Sequence, residues 1–436
     1  MLTGNKLWPR LLMVAATSLA SHAALAADYV LEKVVEISRH GVRPPTPDNT
    51  EAMEAGTDRR WPGWLTADGE LTGHGYAATV LKGQYQAAGW RQAGLLTSGC
   101  PQAGTLFVWA SPMQRTRATA KALTDGAFPG CGVAVHSVAG DSDPLFQIDK
   151  MGLAPLDSAK ALAGINAAMG GSVEQAQQRA TEDIARMKAA VCQPGHACPA
   201  FDRPWAIKQG KDGRFDIKGL STLSNMAETF RLAWSENQPA AEVAFGHVRN
   251  ANDVAALMPL LTAKYDYTSD VPYIARRNGS VLMDQIAKAL AQGVTPQQDA
   301  PPDVRWLLYV AHDTNISWLR TMLGFSWQLA NYPRGNIPPA GSLVFERWRD
   351  GQSGKRFIRL YFQAQTLDQI RTLSTLSGPH ALVSKEFTAA DCRVTEVGVL
   401  CPYQSMLQMI NRSIDHSALT KVNYAAEQSS SDAAAQ

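Results

Sequence analysis

The amino-acid sequence predicts an α/β fold: a mostly parallel central sheet flanked by helices, with a second, smaller all-α domain inserted over a cleft at the end of the sheet. Three observations predict it. Short apolar, β-branched runs lead into polar loops and then into helix-period segments, the strand–loop–helix order of a parallel layer. A block over 155–293 is Ala-rich, has helical periodicity and holds few strand candidates. Two late apolar runs flank a Gly-bearing turn and read as a hairpin added to the sheet.

In chain order, 31–38 (LEKVVEIS) is expected as a buried strand feeding a Gly/Pro-rich loop. Residues 105–110 (TLFVWA), 133–138 (VAVHSV) and 306–311 (WLLYVA) have the same character. Helical patterns follow the first and last of these, at 114–123 and 315–323. Segments 158–168, 173–191, 220–234 and 252–261 supply the helices of the insert, and 192–218, punctuated by Pro and Gly, reads as an irregular connection. The late hairpin pairs 342–348 with 357–362 around the turn at 350–354. The α/β domain is therefore expected from 27–154 and 294–424, and the insert from 155–293.

The two ends read differently. Residues 1–26 carry Lys6 and Arg10, then an apolar run over 11–16, then Ala24-Leu25-Ala26. That order is a secretory signal, and its apolar part is too short to span a bilayer. Residues 425–436 are Ala/Ser/Gln-rich and aperiodic, and are expected to form a disordered tail. The chain has 41 Lys+Arg against 39 Asp+Glu, so removing the two signal charges leaves 39 against 39. Neutrality excludes a generally basic surface for nucleic acid, and no other apolar stretch is long enough to suggest a membrane partner.

Export also changes the meaning of the six cysteines, because an oxidising compartment favours disulfides. Nearest-neighbour pairing joins Cys100 to Cys131, Cys192 to Cys198 and Cys392 to Cys401, one of the fifteen connectivities that six cysteines allow. Zinc at Cys192, His196 and Cys198 is disfavoured, since the spacing is not a knuckle and no second ligand pair follows. No metal or other cofactor is expected.

The first strand ends in Arg39-His40-Gly41-Val42-Arg43-Pro44-Pro45. Loops at the carboxyl ends of sheet strands are where open α/β folds bind ligands. Arginine offers a planar fork matched to phosphate oxygens, and His40 is the neutral-pH nucleophile or base between two of them. His312 and Asp313 follow another strand and open a helix, so backbone N–H groups and the positive helix end face that loop. Read alone, Asp313 serves equally well as a helix cap. Arg115 follows the 105–110 strand, so three strand ends converge on one crevice.

R-H-G-x-R-x-P near the start, R-T at Arg115-Thr116 and the late His312-Asp313 pair resemble the histidine acid phosphatases, clade two of the histidine phosphatase superfamily. The likeness runs over nearly all of the chain after the signal. Within the family it is similar to the bacterial periplasmic phytases, sharing Ala110-Ser111-Pro112 and the stretch Gly126-Ala127-Phe128-Pro129-Gly130-Cys131. Relatives acting on glucose 1-phosphate look similar but lack the complete R-H-G-x-R, which this chain keeps. The resemblance implies that His40 is a nucleophile forming a phosphohistidine. It implies that Arg39, Arg43, Arg115 and His312 hold the phosphoryl group and that Asp313 protonates the leaving alkoxide. It also implies substrate contacts at Thr46 and Glu228; the position after Thr46, often Lys in the family, is Pro47 here. A periplasmic, monomeric enzyme acting on a small anionic phosphomonoester is expected, with phytate the substrate. Its rivals are a glucose-1-phosphatase, a mutase-type phosphoryl transferase and a periplasmic sugar-phosphate-binding protein without turnover.

Overall fold

The structure, a computed structural model, describes residues 28–425 together with Met1. The expected signal at 1–26 and the expected tail beyond Ala425 lie outside the described residues. Strands β1 (Tyr29–Arg39), β2 (Leu106–Ala110), β3 (Ala206–Gln209), β4 (Phe215–Lys218), β5 (Trp306–Ala311), β6 (Ser342–Asp350), β7 (Arg356–Ala364), β8 (Val383–Glu386), β9 (Arg393–Thr395) and β10 (Gly398–Pro402) run in that order. Between them lie α1 (Pro47–Gly56), α2 (Gly73–Gln92), α3 (Gln114–Ala127), α4 (Ile148–Met151), α5 (Ser158–Ala168), α6 (Val173–Arg179), α7 (Thr181–Val191) and α8 (Leu220–Ser235). They are followed by α9 (Ala251–Ala256), α10 (Pro259–Tyr267), α11 (Pro272–Ala291), α12 (Asp313–Met322), α13 (Leu367–Arg371) and α14 (Tyr403–Ser413).

The central sheet has the order β2-β5-β1-β6-β7-β10-β9, with β8 also on β7. β2, β5 and β1 pair in parallel, and the pairs from β1 to β6 onward are antiparallel. The α/β class stands, but the sheet is mixed rather than mostly parallel. The reason is connectivity: parallel neighbours need a crossover, whereas β6 and β7 are joined by a tight turn that can only reverse the chain. The expected strand at 133–138 is reduced to isolated bridge positions at His136 and Val138, His136 lying against Trp109 at the sheet edge. Short β8, β9 and β10 extend the opposite side, where no strand was expected.

Strand β5 is buried along its whole length, as a run apolar on both faces requires. Trp306, Leu308 and Val310 pack with Trp90, Ala120 and Leu123 beneath α2 and α3. Leu307 and Tyr309 face the other way, into a core that continues through Leu223, Phe230 and Ile286. Burying each such side chain contributes about 1.5–3 kcal/mol. Helices α2 and α3 cross so closely that a Cβ on Gly83 would meet the Leu123 carbonyl at 2.2 Å and one on Gly126 the Val80 carbonyl at 2.1 Å. The two glycines thereby fix α3, and Arg115 with it, against the sheet.

The segment over 155–293 is largely helical but not all-α, because β3 and β4 form a hairpin inside the stretch expected to be irregular. The expected helix 173–191 is two, broken at Ala180, and 252–261 is divided before Pro259, which takes the first position of α10. Helix α11 packs along α12, α14 and β1. Disulfides join Cys100 to Cys131, Cys192 to Cys198 and Cys392 to Cys401.

Candidate active site

The parallel register brings three chain segments level. Arg39 pairs with Ala311, the residue before His312, and Ala110, before Ser111, pairs with Val310. The carboxyl ends of β2, β5 and β1 therefore open side by side, and α3 and α12 point their N-termini at the same place.

The loop after β1 is pinned from both sides. The His40 N–H donates to the Ala311 carbonyl (3.1 Å) and its carbonyl accepts from Ala340 (2.9 Å). Gly41 must be small, since a Cβ there would lie 2.8 Å from the Leu71 side chain. Its N–H donates to Thr119 Oγ1 (2.9 Å), whose hydroxyl donates to the Arg115 carbonyl (2.6 Å). One threonine on α3 thus ties the histidine loop to the arginine below it.

His40 is buried, and its Nδ1 lies 2.9 Å from the Gly41 carbonyl, which can only accept. Nδ1 therefore carries the proton and Nε2 keeps its lone pair. Burial, then the charges of Arg43, Arg39 and Arg115 and the neighbouring His312, hold the imidazole well below its usual pKa. These causes favour the neutral ring over the imidazolium.

The arginines around it differ in how tightly they are held. Arg39 is fully buried, donating to the Ile337 carbonyl (2.6 Å) and to Glu228. Arg43 donates through Nη1 to Pro44 (2.8 Å) and Arg115 through Nη1 to Gly69 (3.3 Å). Burial, then Arg43 and Arg39, against the opposing charge of Asp313, push Arg115 down to about 10, so it remains a cation wherever the protein works. Thr46 sits before α1 with its methyl beside Gly69, next to Arg115.

The state of His312 follows from a chain of bonds with a single direction. The Asp143 backbone N–H donates to Gln147 Oε1 (2.9 Å), which orients the amide so that Nε2 donates to Ser111 Oγ (2.7 Å). The Ser111 hydroxyl is then free to donate to His312 Nε2 (2.9 Å). His312 is thereby the Nδ1–H tautomer, a neutral ring presenting a donor. Burial, then Arg115, Lys150 and Arg43, opposed by Asp313, lower it to about 3. Its ring centroid lies 5.8 Å from that of His40.

Asp313, half-buried at the start of α12, accepts a hydrogen bond from the Tyr265 hydroxyl on its Oδ2. Burial opposes its ionisation, but Arg39, the Tyr265 bond, Arg43 and Arg231 outweigh it and hold the carboxyl far below its usual range. Glu228, for which the resemblance implies a substrate contact, is a counter-charge in this structure: one oxygen pairs with Arg39 and the other with Arg231. Asn315, within a glycosylation sequon, is buried and holds the His312 N–H (3.0 Å) and the Phe146 carbonyl (2.9 Å). Among the described residues no cluster of three or more His, Cys, Asp or Glu is arranged to hold a metal, and no helix is long and apolar enough to cross a membrane.

Every strand-end residue expected at the site, Arg39, His40, Arg43, Arg115, His312 and Asp313, meets here. The model of the histidine phosphatase superfamily, branch 2, matches residues 30–363. The chain belongs to that superfamily. It is 31% identical to Phytase AppA of Escherichia coli (strain K12) over 92% of this chain and 96% of that one. It is 28% identical to a glucose-1-phosphatase of Salmonella typhimurium over 88% and 92%. The crystal structure of a Klebsiella sp. ASR1 phytase superposes with a TM-score of 0.86 at 51% identity, covering 91% of this chain and 99% of that one. Tyr265, Arg231 and Gln147 join the strand-end residues, each from a segment with no motif around it.

Proposed function

We propose that this chain is an exported acid phosphatase that hydrolyses phytate through a phosphohistidine on His40. The observation that carries the chemistry is the His40 imidazole, its Nδ1 turned to the Gly41 carbonyl and its Nε2 with no hydrogen bond among the described residues, set among Arg39, Arg43 and Arg115, with Asp313 nearby. The 51% identity to a phytase supports the substrate. The apolar signal at the N-terminus and the three disulfides support a periplasmic location.

In the first step His40 Nε2 attacks phosphorus, the P–O bond to the inositol breaks, and Asp313 gives its proton to the departing oxygen. The arginines and the His312 Nδ1–H donate to the equatorial oxygens, where charge spreads. In the second step water attacks phosphorus, the P–N bond breaks, and the Asp313 carboxylate takes the water's proton. Asp313 must begin protonated although Arg39 and Arg43 favour its anion. A bound phosphate matches those positive charges, so its arrival raises the carboxyl's pKa and supplies the acid form. Turnover is therefore acidic, and because guanidinium groups supply the positive charge, it survives EDTA.

The division into an α/β domain and a helical cover belongs to this reading. The packing of α11 on β1 and α12 favours ending the cover before Pro272.

The relative that cleaves glucose 1-phosphate supports a second reading, a sugar 1-phosphatase. Initial rates on phytate and glucose 1-phosphate, measured side by side at acid pH, separate the two. A higher kcat/KM on phytate is expected, and a clear preference for glucose 1-phosphate would replace this reading with the second.

A further inference from the structure

We propose that Tyr265 is a positioning residue for the reaction, holding one oxygen of Asp313 so that the other alone exchanges protons with the substrate. The inference rests on the mechanism above and goes beyond it. The phenol on α10 donates to Asp313 Oδ2 and is 5% exposed. Its place is fixed independently of that bond. Its carbonyl accepts from Asp270 N (2.9 Å), and Asp270 in turn accepts from Ser317 Oγ (2.7 Å), Arg320 Nε (3.0 Å) and Thr321 Oγ1 (2.7 Å). All three donors lie on α12, the helix that begins with Asp313. The Arg320 guanidinium also sits 5.9 Å from the centre of the Tyr265 ring. Asp270 therefore clamps the end of α10 to α12 and sets phenol and carboxylate in register.

A carboxylate that acts as acid in one step and base in the next must not rotate or exchange its reactive oxygen between them. A phenol suits this task because it donates without giving up its proton. Burial first, then the Asp313 charge, raises the Tyr265 hydroxyl well above its usual pKa, so it remains a donor throughout. The other groups around Asp313 are Arg39 on β1, Arg43 in the following loop, Glu228 and Arg231 on α8, Arg115 on α3 and the adjacent His312. Among the described residues Tyr265, and none of these groups, makes a side-chain hydrogen bond to the carboxylate, and it does not belong to the set proposed to hold phosphate.

The test is Tyr265→Phe, read as kcat and KM against pH on an inositol phosphate. Losing the donor removes support for the carboxylate, so the alkaline limb of kcat moves up by about one pH unit. At the optimum kcat falls on the order of tenfold while KM changes little. A burst of p-nitrophenol from p-nitrophenyl phosphate appears, because that leaving group needs no acid and the base-dependent second step becomes limiting. A folded Tyr265→Phe protein with wild-type kcat and an unmoved limb overturns the proposal. If the variant does not fold, site-specific fluorotyrosine at 265, a stronger donor, must move the limb down, and an unmoved limb again overturns it. Asp313→Asn separates the two levels. If it keeps full activity on inositol phosphates the mechanism itself fails; if it loses that activity while Tyr265→Phe is wild-type, only the role of Tyr265 fails.

Discussion

Glu228 on α8 forms a buried ion pair with Arg39 at the end of β1 and binds Arg231 with its second oxygen. Helix α8 thus holds the arginine at the end of β1. Glu228→Ala leaves two buried guanidinium groups without their carboxylate and should cost about 3–5 kcal/mol of stability, read by denaturant unfolding. Glu228→Gln tests the electrostatics. The Glu228 charge and that of Asp313 disfavour each other, so neutralising it lowers the Asp313 pKa. The alkaline limb of kcat then falls by roughly one unit, opposite in sign to the Tyr265→Phe shift.

Coupling between phosphate and Asp313 predicts proton uptake on binding. Sulfate does not titrate near pH 5, so any proton exchanged on its binding belongs to the protein. Calorimetry in two buffers of different ionisation heat should find uptake of a fraction of a proton, approaching one as the pH falls. Asp313→Asn should abolish it. Proton release by the wild type would reverse the sign of the coupling.

The bonding chain through Gln147 and Ser111 predicts the tautomer of His312. NMR of the imidazole nitrogens should find Nδ1 protonated and Nε2 bare at every pH above about 3, the range in which the ring is neutral. Ser111→Ala removes the hydroxyl that enforces this and should raise KM about tenfold, with a smaller effect on kcat. An Nε2–H tautomer in the wild type would refute the assignment.

The disulfides should rank by the loop they close. Removing Cys100–Cys131, with a sequence separation of 31, should cost roughly 3–4 kcal/mol. Cys392–Cys401 and Cys192–Cys198, separated by 9 and 6, should cost roughly 2–3 kcal/mol each. Paired Cys→Ser variants compared by denaturant unfolding give the order.

The parts of this site that were legible in the sequence share a cause. Arg39, His40, Arg115, His312 and Asp313 each sit within a few residues of an apolar strand, where local pattern and chemistry coincide. Glu228 and Arg231 lie on α8, a helix buried on nearly every side; the resemblance singles out Glu228, but its partner Arg39 comes from far along the chain, so no local pattern shows the ion pair. Tyr265 lies beyond the expected helix at 252–261, in the last turn of α10, with no motif around it. Strand direction is less legible than strand position: the turn at 350–354 identifies β6 and β7 as a hairpin, but nothing local shows that β6 joins β1, or β10 joins β7, in the antiparallel sense. The segment at 133–138 has a strand's composition, yet it forms only isolated bridges, at His136 and Val138.

The central claim is that His40 carries the phosphoryl group. Wild-type protein mixed with phytate at acid pH, quenched within the first turnover into alkaline denaturant and digested, should yield the peptide containing His40 heavier by one phosphoryl group, and the Asp313→Asn protein reacted with p-nitrophenyl phosphate should accumulate more of it. Absence of label on His40 under both conditions, with activity retained by His40→Ala, would contradict the account.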